Sequence, residues 1–176
     1  MIRNSFRGLL VLLFLTCLAT AREVRIEKDI DYLGPDRAEK LDMYLPAEIT
    51  PGAKFPGIVI IHGGGFTGGD KGAAREQNIG NTLAANGYVC VSINYLLASE
   101  GHPTWPQNVH DCKRAVRFLR KNAEKYHVDP DHIGVIGGSA GGHLTAMLGL
   151  TGSESGLDPA GPDAEISCRV QAIVPM

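Results

Sequence analysis

Gly137-Gly138-Ser139-Ala140-Gly141-Gly142 lies between an apolar strand-like run, His132-Ile133-Gly134-Val135-Ile136, and a helix-like run, His143-Leu144-Thr145-Ala146-Met147-Leu148. A serine among glycines at such a junction reads as a sharp strand-to-helix turn. The turn forces the serine into a strained backbone geometry, and small residues two positions before and after it relieve the clash. Its hydroxyl then projects at the carboxyl end of a parallel sheet, where a substrate can reach it. By composition alone, G-x-S-x-G arises in roughly one in fifteen chains of this length. The motif therefore also fits a plain glycine-rich turn or a phosphate-binding one.

A second stretch narrows the reading. Ile58-Val59-Ile60-Ile61 is a β-branched run of the kind that forms a buried strand, and it ends in His62-Gly63-Gly64-Gly65-Phe66. Acyl transfer places negative charge on a former carbonyl oxygen. Backbone N–H groups aimed at that oxygen lower the barrier, by about 3–4 kcal/mol for a single donor. Glycines let backbone amides approach without an intervening side chain. The candidate donors are Gly64, Gly65 and Ala140, with Ser139 as candidate nucleophile. His62, Gly63, Gly137 and Gly141 are supporting positions. A flexible loop is the alternative for the glycine run. It does not account for two such motifs in order, each following a strand-like run.

The chain has 176 residues, 44% of them hydrophobic and 20% charged, enough for one domain with a core. The net charge of −2 gives no sign of a nucleic-acid surface. Arg3 and Arg7, the apolar run Leu9 to Leu15, and Ala19-Thr20-Ala21 read as a secretory signal peptide over residues 1–21. The apolar run is too short for a stable membrane span. A secreted or periplasmic protein over residues 22–176 is the expectation. Cys90, Cys112 and Cys168 would remain, an odd set in which Cys90 reads as a buried thiol, with no disulfide framework. No Cys/His spacing suggests a metal site, and no cofactor is implied.

Along the chain, Val24 to Tyr32 alternates as a half-buried strand, and Leu41, Met43 and Leu45 form a second one closed by Pro46. A third strand is expected over 57–62, a helix over 73–85 stopped by Asn86-Gly87, and a fourth strand over 88–94. A long helix follows, with Val109, Cys112, Val116 and Leu119 inward. Lys113, Arg114, Arg117, Arg120, Lys121 and Lys125 are expected on a solvated outer face. Asp129-Pro130-Asp131 is expected to turn the chain into the fifth strand. The helix after Ser139 should reach about Leu150, and a sixth strand covers 170–174. Strands alternating with helices predict a mostly parallel α/β sheet with helices on both faces and an antiparallel edge.

These segments resemble the α/β-hydrolase superfamily. Within it they look like secreted bacterial feruloyl and acetyl-xylan esterases and hormone-sensitive-lipase-like enzymes. The resemblance is carried by Leu41 to Pro46, His62 to Phe66 with Gly69-Asp70-Lys71, Asn94 to Ala98, Asp111 to Leu119, Asp129-Pro130 and Gly138 to Leu144. Phe66 stands where tryptophan is common and Gly138 where an acidic or other polar residue is frequent. Leu96 stands where an arginine is usual, so a local ion pair steadying the loop toward Glu100 is not expected. The resemblance implies a carboxylic ester hydrolase acting through an acyl-enzyme on small acyl or carbohydrate esters. A serine exopeptidase of the same fold and a catalytically inactive fragment are the alternatives.

Such a serine needs a histidine oriented by a carboxylate, and in this family the order is serine, acid, histidine. His143 is the one histidine after Ser139, and its helix runs beneath the serine. His102 and His110 precede the serine, and Asp158 and Asp163 precede the sixth strand. The resemblance implies an acid after the seventh strand and a histidine after the eighth, so none of these residues stands in the expected place. The reading is therefore an α/β-hydrolase fold truncated after about the sixth strand, with a bare apolar edge there.

Overall fold

The computed structural model describes residues 23–176. The expected signal peptide over 1–21 lies outside the described residues. Six strands form one sheet: β1 (Val24–Ile30), β2 (Leu41–Pro46), β3 (Phe55–Ile61), β4 (Val89–Ile93), β5 (Val128–Gly137) and β6 (Ala172–Pro175). Their spatial order is β1-β2-β4-β3-β5-β6. The pairs β1/β2 and β2/β4 are antiparallel, and β4, β3, β5 and β6 run parallel. The helices are α1 (Ala74–Ala85), α2 (Gln107–Lys121) and α3 (Ala140–Leu150). No helix among the described residues is long and apolar enough to cross a membrane.

The two-residue period of the strands divides the core. Leu41, Met43 and Leu45 of β2, Val59 and Ile61 of β3, and Val89, Val91 and Ile93 of β4 face α2 and α3. Tyr44, Ile60 and Cys90, with Ile58 and Ile136, face α1 through Ala84, Ile79 and Leu83. Helices thus cover both faces, as the sequence predicts. Val109, Cys112, Ala115, Val116 and Leu119 of α2 are fully buried, each large apolar side chain stabilising the fold by about 1.5–3 kcal/mol. The cysteines at 90, 112 and 168 are buried and unpaired, and burial raises the thiol pKa of each.

Two expectations are corrected. The outer face of α2 is not solvated throughout: Lys113 and Arg117 are buried. Residues 151–170 lie across this face with only a short 3-10 turn of regular structure (Ser153–Ser155), so their carbonyls need donors from elsewhere. Arg117 donates to the carbonyls of Pro159 (2.6 Å), Ile166 (2.7 Å) and Ala164 (3.2 Å). Arg120 donates to Pro130, Ser167 and Arg169, and Lys113 reaches Thr151 O and Asp158. The second correction concerns Asp129-Pro130-Asp131, which lies within β5. Pro56 pairs with Asp129 and the next residue, Gly57, with Ile133. Pro130 to His132 therefore bulge out of the strand while pairing continues on either side.

The register levels the strand ends that matter. Ile61 of β3 lies opposite both Ile93 of β4 and Gly137 of β5. The three connections that follow these strands leave the sheet together, at its carboxyl edge. Ser139, the glycine run and residues 94–106 all belong to them. At the far side β6 pairs only with β5 among the described residues, and Val174 is 49% exposed.

Candidate active site

Ser139 has φ 55° and ψ −123°, a left-handed conformation that a residue with a Cβ adopts only when its surroundings enforce it. What enforces it is visible in the neighbouring glycines. A Cβ on Gly141 would sit 2.6 Å from the carbonyl oxygen of His62 and closer still to that of Ile61. A Cβ on Gly63 would sit 2.8 Å from Gly138 O and 3.3 Å from Ser139 Cβ. The first turn of α3 thus presses against the end of β3, and the glycine run presses against the elbow. Gly137 ends β5, and Gly141 lies in the first turn of α3. The Ser139 side is exposed, its N–H donates to Met176 O (2.7 Å), and its carbonyl accepts from His143 N (3.0 Å).

Beside it, Gly64, Gly65 and Phe66 all have positive φ, at 116°, 61° and 65°. Gly64 O closes the turn by accepting from Thr67 N and Gly68 N. The N–H groups of Gly64, Gly65 and Ala140 make no hydrogen bond among the described residues. The carbonyl of Phe66 accepts from Ala98 N at 2.8 Å, which joins the glycine run to the segment after β4.

His62 packs inward. Its side chain is buried, Nδ1 lies 2.7 Å from Gly63 O, and the ring stacks on Tyr95 with centroids 4.5 Å apart. Tyr95 OH donates to His62 O at 3.1 Å. The histidine is thus a wedge behind the glycine run.

The far end of the run is fixed by residues to which sequence reasoning gave no role. Lys71 is buried and its ammonium lies 2.6 Å from Asp42 and 2.8 Å from Asp29. Burial pulls its pKa down, but the two carboxylates outweigh that and hold it above the ordinary lysine value. Asn94 accepts from Lys71 N (2.7 Å) and donates to Asp70 (2.9 Å). That bond, with a second from Gly72 N, keeps the Asp70 carboxyl below its usual range. Gly69-Asp70-Lys71 and Asn94-Tyr95 belong to the segments that carry the family resemblance. The contacts supply their reason.

Leu96 leaves no gap in the loop after β4. Its N–H donates to fully buried Asp111 (3.0 Å), which also takes Arg37 at 2.7 and 3.1 Å. A distant arginine and a backbone bond hold this loop.

No histidine or carboxylate hydrogen-bonds the Ser139 hydroxyl among the described residues. His143 is exposed, edge-on to Phe66 at 5.8 Å. The backbone of His102 pairs with Ser99. His110 lies in α2, its pKa lowered first by burial and then by Arg114. Asp158 and Asp163 are ion-paired to Lys113 and Lys121. Among the described residues no group of His, Cys, Asp and Glu could hold a metal ion.

A mostly parallel sheet in this strand order, with a serine at the elbow between β5 and the next helix, is an α/β-hydrolase fold. Within that class the chain belongs to the BD-FAE family, whose sequence profile matches residues 41–176. It is similar to the probable carboxylic ester hydrolase LipM of Mycobacterium tuberculosis, 34% identical over 161 residues, or 92% of this chain and 36% of that protein. A structure described as the truncated form of a carbohydrate esterase from gut microbiota superposes with a TM-score of 0.76 at 29% identity. The match covers 88% of this chain and 56% of that one. Thermogutta terrifontis esterase 2 phosphonylated by cyclosarin superposes with a TM-score of 0.69 at 30% identity, covering 86% and 54%. The chain therefore spans about a third of the curated relative and about half of the solved ones.

Proposed function

We propose that the protein bearing this chain is a carboxylic ester hydrolase in which Ser139 is the nucleophile. The observation that supports this best is the placing of an exposed, left-handed serine against a glycine run, with the N–H groups of Gly64, Gly65 and Ala140 unpaired. The serine oxygen attacks the ester carbonyl carbon, and the tetrahedral oxyanion takes hydrogen bonds from those amides. The serine proton passes to a general base that is not among the described residues. The alcohol leaves, and water then releases the acid from the acyl-enzyme.

The substrates are small acyl or carbohydrate esters. The names of the similar proteins support that class. Arg3, Arg7, Leu9 to Leu15 and Ala19-Thr20-Ala21 support export, with cleavage after Ala21. A mature amino terminus at Arg22 is the expected result of sequencing the protein from culture medium or periplasm.

A fluorophosphonate probe tests the nucleophile, and the phosphonylated relative makes such a reagent a suitable choice. Labelling that disappears in Ser139→Ala is expected. A protein that stays unlabelled, or labels equally with the alanine variant, is not a serine hydrolase of this kind.

A further inference from the structure

Arg75 stands out at the candidate site because nothing in the reaction so far uses it. It is the second residue of α1, where the positive end of the helix dipole disfavours a cation. Its side chain is 45% exposed, yet it is not loose. Nε and Nη2 both donate to one oxygen of buried Glu76, at 2.9 and 2.6 Å. That fork fixes the plane of the guanidinium and leaves Nη1 as the free end, with no hydrogen bond among the described residues.

The free end lies on Gly138, the residue before the nucleophile. A Cβ at 138 would be 2.7 Å from Arg75 Cζ, and Nη1 would be its nearest neighbour of all. Gly138 is buried despite having no side chain. The arginine therefore fills the space that a side chain at 138 would take. A locally unfavourable cation, clamped by a buried carboxylate and pointed at the nucleophile elbow, is the sort of broken local rule that marks function. Arg75 and Glu76 are neutral in sum, but Nη1, the end not bonded to the carboxylate, lies against Gly138, and the side chain as a whole is partly exposed.

We infer that Arg75 is a specificity-determining residue that binds a carboxylate on the ester substrate beside the scissile group, so that the preferred esters are anionic. This rests on Ser139 marking the site where esters bind. A guanidinium N–H pair favours a carboxylate over a neutral group through a charge-assisted hydrogen bond. Gly138 is what makes room for it.

Binding measured calorimetrically in the Ser139→Ala protein tests this without turnover. The probes are monomethyl succinate, with the charge on the acyl side, and acetoxyacetate, with it on the alcohol side. Methyl butyrate and ethyl acetate are their uncharged counterparts. At least one anion is expected to bind about tenfold more tightly than its counterpart. Adding Arg75→Met should abolish that preference. Adding Gly138→Asp should abolish it by a different route, because the new side chain takes the space that Nη1 fills and its carboxylate neutralises the displaced guanidinium. No preference in the Ser139→Ala parent, or one that survives Arg75→Met, overturns the inference. If the anion preference appears as expected while the Ser139 protein neither labels with fluorophosphonate nor hydrolyses esters, the hydrolase reading fails and the anion site stands.

Discussion

The elbow at Ser139, at the carboxyl edge of the sheet, and the 151–170 segment, over α2, are both irregular backbone, and opposite chemistry holds them. At the elbow, side chains are missing. Gly63 and Gly141 bring main chain onto main chain at distances where a Cβ would overlap a carbonyl oxygen. Over α2, long cationic side chains are the structure. Arg117 feeds three backbone carbonyls of the segment and Arg120 two more, at Ser167 and Arg169. The first arrangement fixes position to within the tolerance of a van der Waals contact, which a reacting centre needs. The second satisfies polar groups, which a covering segment needs. Precision comes from removing atoms, and cover comes from adding donors.

Ser139→Ala tests the elbow most severely. Ester hydrolysis is expected to fall by roughly 10⁴-fold or more with thermal stability preserved. A small fall would move the nucleophile elsewhere.

Arg117→Met tests the other region. It strips charged donors from Pro159, Ala164 and Ile166, and should cost about 2–4 kcal/mol in urea unfolding. Amide exchange should rise across 151–170, while labelling at Ser139 persists. If labelling is lost with the segment, the two regions are not independent.

Gly141→Ala asks whether the elbow tolerates a single methyl group. Overpacking against Ile61 and His62 is expected to cost about 1–3 kcal/mol and to lower hydrolysis as well. A stable, fully active variant would show that the contact can relax.

Asp70 provides a pH test of the glycine run. Its folded pKa lies below the ordinary 3.8 because Asn94, and then Gly72 N, donate to the charged form. Its stabilising contribution is therefore complete above that value and is lost as pH falls through the folded pKa. Asp70→Asn should flatten the acid limb of the stability curve below pH 3.8 relative to the parent.

Lys121→Ala should do least. Its pair with Asp163 is exposed, with the lysine side chain 55% accessible, so a change within about 1 kcal/mol is expected. A larger effect would make 151–170 depend on its rim as well as on Arg117.

The legibility of the two regions differed as their physics does. Glycine is the one residue whose absence of a side chain can be read from the sequence. Gly137, Gly141 and the run at 63–65 could therefore be placed, with the strands before them, before any contact was known. The basic residues of α2 read as solvated because charge usually is. Helical spacing separates Cys112 and Val116 from Arg117 but does not reveal what lies against the arginine. Lys71 was hidden for the same reason: its carboxylate partners stand 29 and 42 positions earlier in the chain.

Element order, the two-residue alternation within each strand and the two glycine motifs at strand ends were legible before any contact was known. These follow from periodicity and from sterics within a few residues. Only the tertiary structure decided that Ile61, Ile93 and Gly137 end level, that His62 turns inward onto Tyr95, and that Arg75 lies on Gly138. Those outcomes depend on which distant groups share a space. Local backbone preference does not encode that; burial and charge pairing settle it once the sheet has formed.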